Sequence, residues 1–136
     1  MRNFREYDIW KEGIQITKEV YLLTKDFPDQ EKFGLASQLQ RATVSIPSNI
    51  AEGASRKSEV DFARFLEMAL GSVFELETQL IIAKELGYTN SESINELLLN
   101  IYQIEKKLNS FITKIRNNSK KPKPTANSQQ PIAISQ

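Results

Sequence analysis

Apolar residues recur along this chain at spacings of three and four. Ile9, Gly13, Ile16, Val20, Leu23 and Phe27 form one such seam, and Ala36, Leu39, Thr43, Ile46 and Ile50 a second. Phe62, Leu66, Ala69, Val73, Leu76, Leu80 and Ala83 form a third, and Ile94, Leu97, Ile101, Ile104, Leu108, Phe111 and Ile115 a fourth. Strands would alternate with period two. This heptad-like spacing is that of a helix with one face in a core. It predicts four helices near 8–26, 29–52, 58–86 and 91–117. Connections of a few residues favour antiparallel neighbours, so the expected fold is all-α, an up-down-up-down four-helix bundle.

The residues between the seams support these boundaries. Pro28 suits a first helical turn, where a missing N–H is tolerated. Gly53 is expected to stop the second helix and Gly87-Tyr88 the third. Ser58 with Asp61, and Thr89 with Glu92, have the spacing of N-terminal caps. Two residues break local rules. Pro47, inside the second helix, removes one backbone hydrogen bond and should kink it. Gly71, inside the third, costs about 1 kcal/mol relative to alanine. Its favoured explanation is close approach of a neighbouring helix, and the alternative is a contact surface.

The third helix carries more apolar surface than one seam needs: Ala63, Phe65, Leu70, Phe74 and Ile81 lie outside it. Either this helix is unusually central, or another subunit covers it, Phe65 and Phe74 being the residues that would be covered. On the second helix Arg41, Ser45, Asn49 and Glu52 share a face that points roughly 140° away from the Thr43–Ile46–Ile50 seam. A solvated face with local ion pairs is the commoner meaning of such a stripe. A subunit or partner interface built on the Arg41 fork and the Asn49 amide is the alternative.

Composition narrows the chemistry. The 136 residues suit one domain and contain no cysteine and no histidine. Disulfides, thiolate metal sites and histidine-dependent catalysis are excluded. Glu67, Glu75 and Glu77 offer carboxylates, but there is no glycine-rich phosphate loop or pocket motif. We expect no enzyme, no catalytic residue, no metal and no cofactor. No apolar run approaches a membrane span, and the charged N-terminus lacks a signal-like core, which points to the cytoplasm. Lys and Arg number 18 and Asp and Glu 17. The segment after Arg116 holds three lysines, three prolines and no acid, so the preceding part carries 15 basic against 17 acidic residues. Residues 1–117 are expected to form the bundle and 118–136 a disordered basic tail.

Gln38 to Gly53 reads QLQRATVSIPSNIAEG. Together with Trp10, Tyr21, Phe27-Pro28, Glu31 and Gly34-Leu35 before it, and Phe65-Leu66, Ala69, Gly71-Ser72, Glu75-Leu76-Glu77 and Leu80 after it, this segment resembles the four-helix bundle family. That family is also called the 23S ribosomal RNA intervening-sequence protein family. The resemblance spans about Phe4 to Arg116. It implies a small bacterial bundle that assembles into a homopentamer and has no established molecular role. It makes Arg41, Ser45, Pro47, Asn49, Glu52 and Gly53 motif positions of the second helix, and Gly71, Ser72, Glu75 and Glu77 those of the third. A more distant similarity is to the accessory protein of diversity-generating retroelements, a strongly basic pentameric barrel that works with nucleic acid.

The present chain departs from that relative in charge. Its cations are local: Arg56, Lys57 and Arg64 near the second turn, and Lys114, Arg116, Lys120, Lys121 and Lys123 near the end. Lysines at a helix C-terminus also complement its dipole, which needs no partner. The expectation is a non-enzymatic homo-oligomeric scaffold or adaptor, with binding of structured RNA through these clusters as the alternative. No membrane and no small-molecule substrate is expected.

Overall fold

The computed structural model describes residues 2–120 of the chain. Four helices carry it: α1 Asp8–Thr24, α2 Leu35–Ala54, α3 Glu59–Glu85 and α4 Ser91–Lys120. Short 3-10 turns at Phe4–Glu6 and Asp29–Glu31 precede α1 and α2. Each helix packs on its chain neighbours, and α1 also packs on α4, while α1 and α3 do not touch. The two therefore occupy diagonal corners of the bundle. All residues of the four seams are buried except Phe111, which is half-buried, and Ile112 joins the core beside it. No helix among the described residues is long and apolar enough to cross a membrane.

Four expected features fall elsewhere. The second helix begins at Leu35, not near residue 29. Asp29–Glu31 is a separate turn, and the Glu31 carboxylate accepts hydrogen bonds from the Leu35 N–H (3.0 Å) and the Tyr88 hydroxyl (2.8 Å). A carboxylate four residues upstream thus takes an unpaired amide of α2. Those two donors, the Leu35 amide first, hold the Glu31 carboxyl below its ordinary pKa. Gly53 does not stop α2, which runs on through Ala54 in right-handed conformation. Glycine is needed there for space: a Cβ would stand 2.6 Å from the Phe65 Cβ of α3. Asn90, not Thr89, caps α4, its Oδ1 accepting from the amides of Glu92 (2.8 Å) and Ser93 (3.2 Å). Finally, α4 continues to Lys120, three residues past its expected end. The rest of the expected tail, residues 121–136, lies outside the described residues.

Other local signals read as expected. Ser58 Oγ accepts from the Asp61 amide at 3.0 Å. Gly87, with φ 71°, ends α3, the Gly87 and Tyr88 amides bonding back to the carbonyls of Lys84 and Ala83. Pro47 is buried inside α2 without ending it. A proline leaves the carbonyl four residues earlier without its helical donor. That carbonyl, Thr43 O, stands 3.2 Å from Thr17 Oγ1 of α1, whose one hydroxyl hydrogen is shared with the Gly13 carbonyl at 2.8 Å, and the two threonine hydroxyls lie 3.1 Å apart.

Candidate functional site

The α2 stripe divides in two. Ser45 and Asn49 are half-buried and work within the chain: Ser45 Oγ hydrogen-bonds Ser72 Oγ of α3 at 2.8 Å, and Asn49 Nδ2 donates to Ser45 O and Oγ, each at 2.9 Å. Arg41 and Glu52 are exposed, and Glu52 pairs with Arg56 one turn later at 2.9 Å. Pairs of that kind stabilise a helix by about 0.3–0.5 kcal/mol. Spacing alone did not reveal the role of Ser72, nor of Gln79, which is buried and donates to Gln38 across the same seam at 3.4 Å. The stripe therefore marks the edge where α2 meets α3.

Phe65 and Phe74 part company, because nine residues turn a helix through about 180° net. Phe65 is 7% exposed, with the Arg56 and Arg64 guanidinium carbons 4.6 and 4.8 Å from its ring centroid. It is an internal residue beneath two cations. Phe74 is 49% exposed. Gly71 is also exposed, and nothing lies within 4 Å of where its Cβ would be. Close approach of a helix of the same chain therefore does not explain Gly71.

The cationic residues collect at one end of the bundle. There the α2–α3 turn, the N-terminal segment and the C-terminal part of α4 meet, with Tyr7 stacked on Phe62 and edge-on to Phe111. Arg56, Arg64 and Arg116 are engaged with Glu52, Asp61 and Glu67. Lys57, Lys114 and Lys120 are exposed and, among the described residues, form no ion pair. Lys121 and Lys123 lie outside the described residues. The same end uses Arg2, which sequence reasoning passed over. It donates to the Ala54 and Arg56 carbonyls, pairs with Glu59 and stands 4.3 Å over the Phe62 ring. Beside it a groove of about 500 Å³ between α1 and α4 is floored by Tyr7, Ile9 and Phe111 and edged by Lys106, Lys107 and Lys114. Among the described residues no three His, Cys, Asp or Glu side chains are grouped to hold a metal ion.

A helical chain with this arrangement matches the family model described as 23S rRNA-intervening sequence protein over residues 5–110. The chain belongs to that family. This chain is similar in fold to a protein of unknown function from the S23 ribosomal protein family of Bacteroides thetaiotaomicron VPI-5482. The two share 24% identity at a TM-score of 0.69, over 76% of this chain and 97% of that one. That likeness concerns the fold. No match was found among curated proteins.

In this family member the Glu105 carboxyl of α4 faces Glu77 of α3 across their seam. Glu105 Oε2 is buried without a hydrogen-bond partner among the described residues. Burial, and then the Glu77 carboxyl facing it, push the Glu105 pKa up to about 7. Between about pH 4.5 and 7 the native state thus holds a proton that the unfolded chain has lost. The resulting stabilisation is fully present below about pH 4.5 and disappears as pH rises through about 7. Stability is expected to fall by on the order of 2 kcal/mol between pH 5 and 8, after discounting for partial exposure. Urea midpoints at the two pH values measure it. E105Q should be flat over that range, and a slope equal to that of the wild type would rule out Glu105 as its source.

Proposed function

We propose that this chain is a non-enzymatic scaffold or adaptor that assembles with copies of itself, a homopentamer on the family resemblance. The observation that carries this reading is the exposure of large apolar side chains on helices whose inward seams are already filled. Ile14, Tyr21, Phe74, Ile81 and Ile82 are each between 38% and 49% exposed, and Leu22 reaches 61%. These residues form two separate apolar stripes, one on α1 and one on α3, each of which a contact with another copy would cover. Native mass at low and moderate ionic strength tests it. A species near five times 15.6 kDa is expected. A single-chain mass at tens of micromolar would remove the scaffold.

Nucleic-acid binding is the second reading, supported by the three exposed lysines at one end of the bundle. Phosphate contacts of this type release counterions, so binding should be strong in dilute salt and weak at moderate salt. Exchanging Lys57, Lys114 and Lys120 for glutamate should weaken retention of a structured RNA. It should also flatten the slope of log affinity against log salt by about 2–3. Equal retention by the variant and the wild type would end this reading.

A further inference from the structure

The exposed faces of α1 and α3 are complementary to each other. Lys11, Ile14, Lys18, Tyr21 and Leu22 form the outer face of α1, with Lys25 just past its end; all are exposed, and no acid stands among them. On α3 the outer face presents Glu67, Gly71, Phe74, Glu75, Ile82 and Glu85, also all exposed. Its cation is Arg64, paired with Asp61 near the start of the helix, and Arg116 of α4 pairs with Glu67, so Glu75 and Glu85 supply the negative charge of this face. One face is apolar with positive charge and the other apolar with negative charge. Because α1 and α3 sit on diagonal corners and do not touch, neither face can cover the other within one chain.

Their heights also match. Gly13 packs on Pro47 and Thr17 on Thr43, which sets α1 against α2. Ser45 meets Ser72 and Gln38 meets Gln79, which sets α2 against α3. Following these contacts through α2 puts Ile14 level with Gly71, Lys18 level with Glu75 and Tyr21 level with Thr78. The two helices run in the same direction, so copies related by an axis parallel to the bundle meet at equal heights. A branched side chain would then face the one position on α3 that lacks a side chain, as a knob faces a hole. A lysine would face a glutamate one turn further along.

We infer that the outer face of α1 docks on the outer face of α3 of a second copy, with Ile14 seated over Gly71 and Lys18 paired with Glu75. This rests on the self-assembly reading above and names its interface. The two faces differ, so the contact is head-to-tail. Each copy uses both faces, and the assembly closes into a ring if the rotation per copy permits. The contact explains why α3 carries an exposed glycine in mid-helix.

The experiment is sedimentation of four variants beside the wild type. Gly71→Trp adds bulk where nothing lies within 4 Å, so the isolated chain should keep its fold. It should sediment as a single chain with the helical content and unfolding transition of a folded bundle. K18E and E75K should each dissociate at protein concentrations at least tenfold higher than the wild type. The chain carrying both changes restores opposite charges at every contact and should return to within about threefold of the wild type. An equimolar mixture of the two single variants should associate at lower concentration than either alone, short of the double variant because a five-membered ring keeps one like-charged contact. An assembled wild type with an equally assembled Gly71→Trp overturns this interface and leaves the scaffold standing. The interface also falls if the double variant is no better than the singles. A wild type that sediments as a single chain overturns both.

Discussion

Phe62→Ala is expected to destabilise the fold by about 4 kcal/mol, within the range for removing a buried phenylalanine. Phe62 is fully buried at the N-terminal end of α3. Its ring stacks on Tyr7 at 6.2 Å and meets Phe111 of α4 edge-on at 5.7 Å, with the Arg2 guanidinium over its face. One side chain therefore joins the N-terminal segment, α3 and α4. Truncation would leave a cavity flanked by two unsupported rings. It would also remove the surface against which Arg2 is held while it serves the Ala54 and Arg56 carbonyls. A domain of this size has a net stability of about 5–15 kcal/mol, so the loss should move the urea midpoint by about a quarter or more. A loss below about 1 kcal/mol would mean that this end of the bundle is not closed around Phe62.

The second large effect comes from adding one carbon. Gly53→Ala introduces the better helix former, a gain of about 1 kcal/mol on propensity alone. Here packing outweighs propensity. The new Cβ would lie 2.6 Å from the Phe65 Cβ, 3.2 Å from Phe62 Cδ1 and 3.3 Å from the Phe62 carbonyl oxygen. The nearest atom is the root of a side chain, which cannot swing away, so α2 and α3 must separate at their closest point. Overpacking of this kind costs about 1–3 kcal/mol, and the contact with a backbone carbonyl places Gly53→Ala at the upper end. Thermal unfolding of the variant measures the result, and equal or greater stability than the wild type would contradict the close approach.

The four seams were legible because burial follows helical period, and period is a property of the sequence. The start of α2 was not. Residues 29–34 contain Glu31, Lys32 and Phe33, which any helix would accept; the break comes at Gly34, with φ −111° and ψ −115°, and Glu31 secures it by bonding the Leu35 amide and the distant Tyr88 hydroxyl. Gly53 looked like a stop signal because the sequence records a missing side chain but not the reason for its absence. Gly53 and Gly71 are alike as letters, yet one is crowded by α3 and the other faces open space. Phe65 and Phe74 were grouped as surplus apolar residues, and the bundle sends one beneath Arg56 and Arg64 and the other outward. The pairing of Glu77 with Glu105, and of Arg2 with the α2–α3 turn, depends on which heights on different elements coincide, and a one-dimensional pattern does not contain that. Of the candidate cations, Lys57, Lys114 and Lys120 stand exposed and Arg56, Arg64 and Arg116 are engaged by carboxylates. Charge alone could not separate those two groups.

Heptad seams have an ambiguity of their own: slid by one repeat, apolar residues again face apolar residues. The proline in α2 removes one of the two slips. Because Pro47 has no N–H, the Thr43 carbonyl turns to the Thr17 hydroxyl of α1, which the Gly13 carbonyl shares. A slip by one repeat that brings Thr24 to this height would again offer a hydroxyl, but the opposite slip brings Trp10. The carbonyl would then lose that hydroxyl, a penalty of about 1–3 kcal/mol. A residue usually counted as a flaw in a helix thus acts as a one-way stop against misalignment.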